Sequence, residues 1–347
     1  MTRSNNYKWA GARTGTLLLA MVAIGFMGCT ARRPAWTIEN PYAEVNWTQD
    51  GRYKSSLHTH TRASDGKLFP HEVIDGYQQL DYDVLAITDH NKVSYPWTGL
   101  SGLYGTDYED RDPDAVGMLD VPGNEFSRHH HMGSYWTGHP GTSDEVQSLE
   151  ATLALEGQTV LFHPGRYKKP VEWYVDLFER YNHLAGMEVY NQGDRYPGDR
   201  QKWDAVLSAI MPDRPVWGFS NDDMHRREQL GRNWNILLLP ELTEKSVRRG
   251  LNEGLFFFVY ATKGHAGAEP PVIKFLTVDP RNGIIRAQVS GHDRLEWISD
   301  GKVVHDGAQL NLDEVSEIGS YVRLMVYGVE DETIVGTQPL GIRPPGE

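Results

Sequence analysis

The sequence predicts an α/β fold followed by a smaller all-β region, and three observations carry that expectation. Short apolar runs alternate with amphipathic helical patterns between about residues 50 and 265. Helical periodicity then stops at Pro270-Pro271. Beyond it, two hairpin signals, Asn282-Gly283 and Asp300-Gly301, lie between β-rich runs. In chain order, the buried strands are expected at Val84-Leu85-Ala86-Ile87, Val160-Leu161-Phe162, Met187-Glu188-Val189-Tyr190, Val216-Trp217-Gly218-Phe219 and Ile236-Leu237-Leu238-Leu239. Helices are expected over 71–80, 144–155, 171–183, 200–210 and 244–252, the last with Thr243 as N-cap and Gly254 as its stop. Such alternation implies parallel pairing, in a barrel or a doubly wound sheet, with functional side chains at the C-terminal strand ends. Residues 321–327 alternate, Val322, Leu324 and Val326 facing one way, so the last stretch suggests a small β-sandwich. The expected organisation is a leader over 1–29, a linker over 30–50, the α/β domain over 51–267 and the β-sandwich over 268–347. Residues 94–114, rich in Gly, Tyr and Asp, read as a rim insertion.

Composition narrows the functional classes. With 347 residues and 39% apolar content, neither a multi-span membrane protein nor a mainly disordered chain is expected. The formal charge is −13, from 34 basic and 47 acidic side chains. That balance argues against a broad nucleic-acid surface, so the expected partner is a small-molecule substrate, with no nucleic acid. A single cysteine removes any internal disulfide framework and any Cys-rich zinc site. Its position is informative: Arg3, Lys8 and Arg13 precede a charge-free, mostly apolar run over 14–27, and then come Gly28 and Cys29. A basic start, an apolar core and a small residue before the cut describe a secretory signal. With Cys29 directly after it, the segment resembles a bacterial lipoprotein signal, which implies an exported, membrane-anchored lipoprotein, periplasmic or on the cell surface. Cleavage without lipid, or retention as a membrane anchor, are the alternatives.

Five polar clusters stand at predicted strand exits. They are His58-Thr59-His60 with Asp65, Thr88-Asp89-His90, Gly123-Asn124-Glu125 followed by His129-His130-His131, His163-Pro164-Gly165-Arg166, and Asn221-Asp222-Asp223-Met224-His225. In a strand, residues two apart point the same way, so His58 and His60 address one point. Imidazole and carboxylate donors without thiolates suit Zn2+, Mn2+ or Fe. His139-Pro140-Gly141 follows no apolar strand and reads as a loop, while His71, His183, His265, His292 and His305 read as helix-opening or surface residues.

Taken in order, the five clusters resemble the PHP (polymerase and histidinol phosphatase) family of metal-dependent hydrolases, over about residues 55–265. With its leader and β-region the chain looks most like the carbaryl-hydrolase branch. The resemblance implies a distorted (β/α)7 barrel with two or three divalent metals in its mouth. It places His58, His60, Glu125 and Asp223 on a first metal, Glu125, His131 and His163 on a second, and Asp65, His90 and His225 on a third. His131 stands before Met132-Gly133, with His130 as the alternative. Arg166 is the candidate phosphate grip, and Asp65 either coordinates or shuttles a proton. The implied activity is hydrolysis of a small phosphate ester by a metal-bridging hydroxide. One rival is a carboxylic or carbamic ester or amide hydrolase using the same centre, favoured by an aromatic rim such as Trp97, Tyr104 and Trp136. The other is a non-catalytic metal-binding surface lipoprotein.

Overall fold

The computed structural model describes residues 35–346, so the leader and Cys29 lie outside the described residues. Among the described residues, no helix is long and apolar enough to cross a membrane.

The expected helices form, with ends set by local chemistry. Glu145–Ala154 starts where the Asp144 side chain accepts from the Gln147 N–H. Glu244–Glu253 is capped by Thr243, which accepts from Ser246 N–H, and stops at Gly254 with φ +73°. Val171–Arg180 ends before the predicted His183, because Tyr181 turns extended. Pro70–Gln78 and Gly198–Ile210 complete the set around the site.

The strands depart from the expected barrel. Gly51–Ser56, Val84–Leu85 and Leu119–Asp120 pair in parallel at one end of an 11-stranded sheet. Gln158–Leu161, Leu184–Asn191 and Trp217–Asn221 pair in parallel in a separate five-stranded sheet, which begins with the antiparallel strands Gly123–Phe126 and Met132–Tyr135. Among the described residues no hydrogen-bonded barrel closes; the fold is mixed α/β. Instead, single bridges stitch the two sheets together at Thr59↔Met224 and His90↔Glu125. The interior is still packed from both sides: Leu57, Val84 and Leu237 from one sheet meet Val160, Ala185 and Phe219 from the other. Parallel pairing fails at Asn233–Leu239, which runs antiparallel to Gly51–Ser56. The link from Asn221 to Asn233 holds no full crossover helix, so the chain turns back on itself instead of crossing over.

Past residue 267 the β-region is not a freestanding sandwich. Tyr321–Tyr327 and Thr333–Gly336 extend the large sheet through Phe256–Ala261. A three-stranded sheet, Val272–Asp279, Ile284–Ser290 and Gln309–Asn311, adds Ile273, Leu276, Ile285 and Leu310 to a core shared with Phe257 and Val322. Both predicted hairpins are present, with Gly283 at φ +61° and Asp300-Gly301 at +47° and +71°. Val322, Leu324 and Val326 do share a face, but Tyr321 and Met325 are buried on the other, because the strand lies inside the molecule and not at its edge.

Candidate metal centre

The polar clusters converge where the two sheets are stitched together. His58 and His60 leave the strand Gly51–Ser56 on one side, with Nε2 atoms 3.2 Å apart and both rings fully buried. Asp223 brings Oδ1 to 3.3 Å from His58 Nε2 and 3.2 Å from His60 Nε2. Glu125 stands in the middle. Its Oε1 lies 2.7 Å from His131 Nδ1 and 3.3 Å from His163 Nε2, and its Oε2 lies 2.8 Å from His90 Nδ1 and 3.2 Å from His60 Nε2. Asp65 Oδ2 sits 3.5 Å from His90 Nε2 and 3.3 Å from His225 Nε2.

All nine candidate ligands therefore fall into overlapping groups whose donor atoms lie within 4.8 Å of one another: His60, Asp65, His90 and His225; His58, His60 and Asp223; His58, Glu125 and His163; His90, Glu125 and His131. The sharing differs from the expected partition, since His60 also joins the Asp65 group and His90 also faces Glu125. His130 is elsewhere. Its ring stacks on Tyr167 and Trp173, and its Nε2 meets the Tyr174 hydroxyl at 3.1 Å.

Strained backbone aims two of these groups. His163 and Asp223 hold φ at +31° and +44°, in the left-handed region that non-glycine residues avoid, each just past a strand. Glycine makes room elsewhere. A Cβ on Gly66 would stand 2.5 Å from the His60 carbonyl, so the Asp65 turn can close on the strand only with glycine there. A Cβ on Gly133 would stand 2.3 Å from the Phe162 ring, and that ring stacks on His58 at 3.6 Å and 13°.

Burial and charge set the protonation. Burial disfavours charge on Glu125, yet His58, His131 and His163 outweigh it and hold the carboxyl well below the usual range. Burial likewise opposes protonation of His60 and His90. Asp223 and Glu125 nevertheless raise His60 to about 9, and Asp65 and Glu125 raise His90 to about 10. His225 and His90 hold Asp65 far below an ordinary carboxyl. Carboxylates at the cluster thus favour the charged forms of His60 and His90, while burial lowers His131.

The residues fit divalent cations on a structural test. Glu125 Oε2, His60 Nδ1 and His90 Nδ1 are buried and lack a hydrogen-bond partner among the described residues. Glu125 Oε2 and His90 Nδ1 are only 2.8 Å apart without the alignment of a hydrogen bond, as expected of atoms that share a cation.

Several functional residues escaped the sequence reading. Buried Glu188 accepts from His58 Nδ1 (2.9 Å) and Asn221 Nδ2 (3.0 Å) on one oxygen, and from His163 N–H and Asn191 Nδ2 (both 2.8 Å) on the other. A lone acid inside the apolar run Met187–Tyr190 was the available signal. Asp89, in Thr88-Asp89-His90, holds the loop by accepting from Thr61 N–H and from the Thr61, Ser64 and Ser94 hydroxyls. Asp222 accepts from the Gly231, Arg232 and Asn233 amides and the Tyr77 hydroxyl. Arg166 is exposed, lies 5.8 Å from the Tyr167 ring and bears electrostatically on His131.

Of the three expected rim aromatics, only Tyr104 is partly exposed, its hydroxyl 3.1 Å from Ser94 Oγ. Trp97 is buried in the core, and Trp136 is buried beneath the Arg248 guanidinium. Besides Phe162 under His58, Tyr167 and Tyr196 lie by the cluster, 6.1 Å and 5.7 Å from His163. His183, expected at the surface, is buried against Tyr181.

No family model and no curated protein matches the chain. Among solved structures, it is similar to a two-domain protein from Bacteroides vulgatus containing a predicted PHP-like metal-dependent phosphoesterase, at 14% identity over 90% of this chain and 92% of that one, with a TM-score of 0.50. The fold is PHP-like. A metal-dependent phosphoesterase from Bifidobacterium adolescentis, described as putative, is similar at 16% identity over 58% of this chain and 96% of that one, TM-score 0.37. Endonuclease Q in complex with a 27-mer duplex bearing an abasic lesion is similar at 14% identity over 58% of this chain and 56% of that one, TM-score 0.42. That similarity corrects one expectation: the exclusion of nucleic acid as a partner does not stand.

Proposed function

We propose that the chain is a metal-dependent phosphoesterase that hydrolyses a small phosphate ester at the cluster centred on Glu125. The observation that supports this best is Glu125 itself, a buried carboxylate offering one oxygen to His131 and His163 and the other to His60 and His90. His58, His60, Glu125 and Asp223 would hold one cation, Glu125, His131 and His163 a second, and Asp65, His90 and His225 a third. Bound Zn2+, Mn2+ or Fe would supply Lewis acidity and a water activated near neutral pH.

The remaining work falls to side chains of the chain. Glu188 fixes His58 through its Nδ1, which leaves Nε2 facing the cluster. Arg166 is free at the mouth and offers a planar, permanently charged fork to phosphoryl oxygens. Asp65 has a side chain 53% exposed and touches His90 and His225, so it would bind the third cation from the solvent side of the cluster. A second reading is favoured by Tyr167 and Tyr196: hydrolysis of an aryl carboxylic or carbamic ester, the aryl group lying on those rings. We place either activity outside the cytoplasm on the strength of the leader pattern over residues 1–29. Loss of membrane association in a Cys29→Ala variant tests that assignment.

The deciding experiment assays an aryl phosphate monoester, a phosphodiester and an aryl carboxylic ester side by side, with wild type and Arg166→Met. Turnover of a phosphate ester, with KM raised about tenfold or more by Arg166→Met, is the expected result. Turnover confined to the carboxylic ester and indifferent to Arg166 selects the second reading. No turnover of any ester by metal-loaded protein rejects both.

A further inference from the structure

Apart from the metal cluster, a half-open cavity of about 270 Å3 lies where Gly51–Ser56, Asn233–Leu239 and Phe256–Ala261 meet the segment 264–273. Its floor is apolar, built from Trp234, Phe257, Val259 and Ile273. Two cations line it. Lys54 Nζ lies 4.8 Å from the centre of the Trp234 ring and 4.1 Å from that of Tyr82, and donates to the Leu80 carbonyl at 2.9 Å. His265 stacks on Trp234, at 5.3 Å and 18°, and brings Nε2 to 2.7 Å from Lys54 Nζ. Arg52 donates Nη2 only to the backbone carbonyls of Ile273 and Lys274, at 2.7 and 3.1 Å.

Neither cation forms an ion pair with a described carboxylate. Glu269 is on the rim, and Asp81, Asp83 and Asp222 act on Lys54 only at longer range. Burial lowers the Lys54 ammonium to about 8 in spite of those four acids, so its charge lacks a close counter-ion. Lys54 is partly buried and Arg52 exposed, and the hydrogen bonds that both donate go to neutral groups, which leaves their charge available to an anion. Apolar walls with a few convergent groups of one charge are the composition of a small-molecule site.

We propose that this cavity binds a small aromatic monoanion, its ring filling the apolar space and its carboxylate or sulfonate held by Lys54 and Arg52. The ring replaces solvent in the cavity, while the anion supplies the negative charge that the carbonyls around Lys54 and Arg52 do not. The inference is independent of phosphoesterase chemistry, because no candidate metal ligand lines the cavity.

The test is isothermal titration of the full-length protein with naphthalene-2-sulfonate, a probe with no hydrolysable bond. Wild type is expected to bind one probe per chain. Lys54→Met keeps the apolar stem, removes the charge and is expected to weaken binding about tenfold or more. Ala268→Phe, at the partly exposed rim, fills the space and is expected to do the same. It carries the test should Lys54→Met fail to fold. His58→Ala, which disrupts the metal cluster, is expected to bind as wild type does. Absence of saturable binding by wild type at millimolar probe overturns the proposal. So does wild-type affinity in Ala268→Phe, or binding lost in His58→Ala alone.

Discussion

Glu188 shows how a single side chain governs the cluster without facing it. Its two oxygens accept four hydrogen bonds, two of which fix a ring and a backbone amide of candidate ligands, His58 and His163. A glutamine there has one acceptor and one NH2, so one pair of donors must meet another donor. Glu188→Gln is therefore expected to weaken metal binding or turnover by about 10–100-fold while the protein stays folded. Competition against a chelator, read beside circular dichroism, checks this. Unchanged metal affinity and kcat would show that Glu188 only fills space. At the same scale the ligand types were legible in the sequence, because His-x-His and Asp-x-His put donors two residues apart just past apolar runs, although Asp223 reaches the cluster from a left-handed turn and not from extended chain. Glu188 was legible only as a lone acid in an apolar strand, a signal that does not tell a cluster-facing carboxylate from a surface one.

At the scale of the element, loops made rigid by buried carboxylates position the site. Asp222 gathers the amides of Gly231, Arg232 and Asn233 and the hydroxyl of Tyr77, so the turn after the strand Trp217–Asn221 is pinned to the next strand. Asp222→Ala leaves three amides without that acceptor and is expected to destabilise the protein by about 3 kcal/mol or more. A fall of less than about 1 kcal/mol in urea unfolding would mean that water replaces the carboxylate. Local signals located the elements well: Thr243 and Gly254 bound a helix as capping chemistry requires, and both hairpins turn at their Asn-Gly and Asp-Gly pairs. Pairing direction was not local information. The turn at 222–232 forces an antiparallel return, and a short apolar run such as Ile236–Leu239 looks alike in either direction.

For the whole molecule, the centre lies on the seam between two sheets, so cations and fold are expected to stabilise each other. His60 and His90 are raised to about 9 and about 10 by the carboxylates around them. Their protonated forms stabilise the metal-free fold fully below the unfolded histidine value of about 6.5. That contribution is lost as pH rises through about 9 to 10. Metal-free protein is accordingly expected to lose Tm between pH 8 and about 10.5, and metal-loaded protein to lose much less, because cations replace the protons. Equal losses in the two forms would separate the cluster from fold stability. Sequence could not anticipate this coupling, since Thr59↔Met224 and His90↔Glu125 join segments far apart in the chain.

The most direct test of the account is the metal content of purified protein, wild type against Glu125→Ala, by plasma mass spectrometry after dialysis. A bridging Glu125 predicts at least two divalent ions per wild-type chain, a loss of at least one in the variant, and loss of ester hydrolysis with it. Full metal content in Glu125→Ala, or a wild-type chain that retains no divalent ion, would contradict the account.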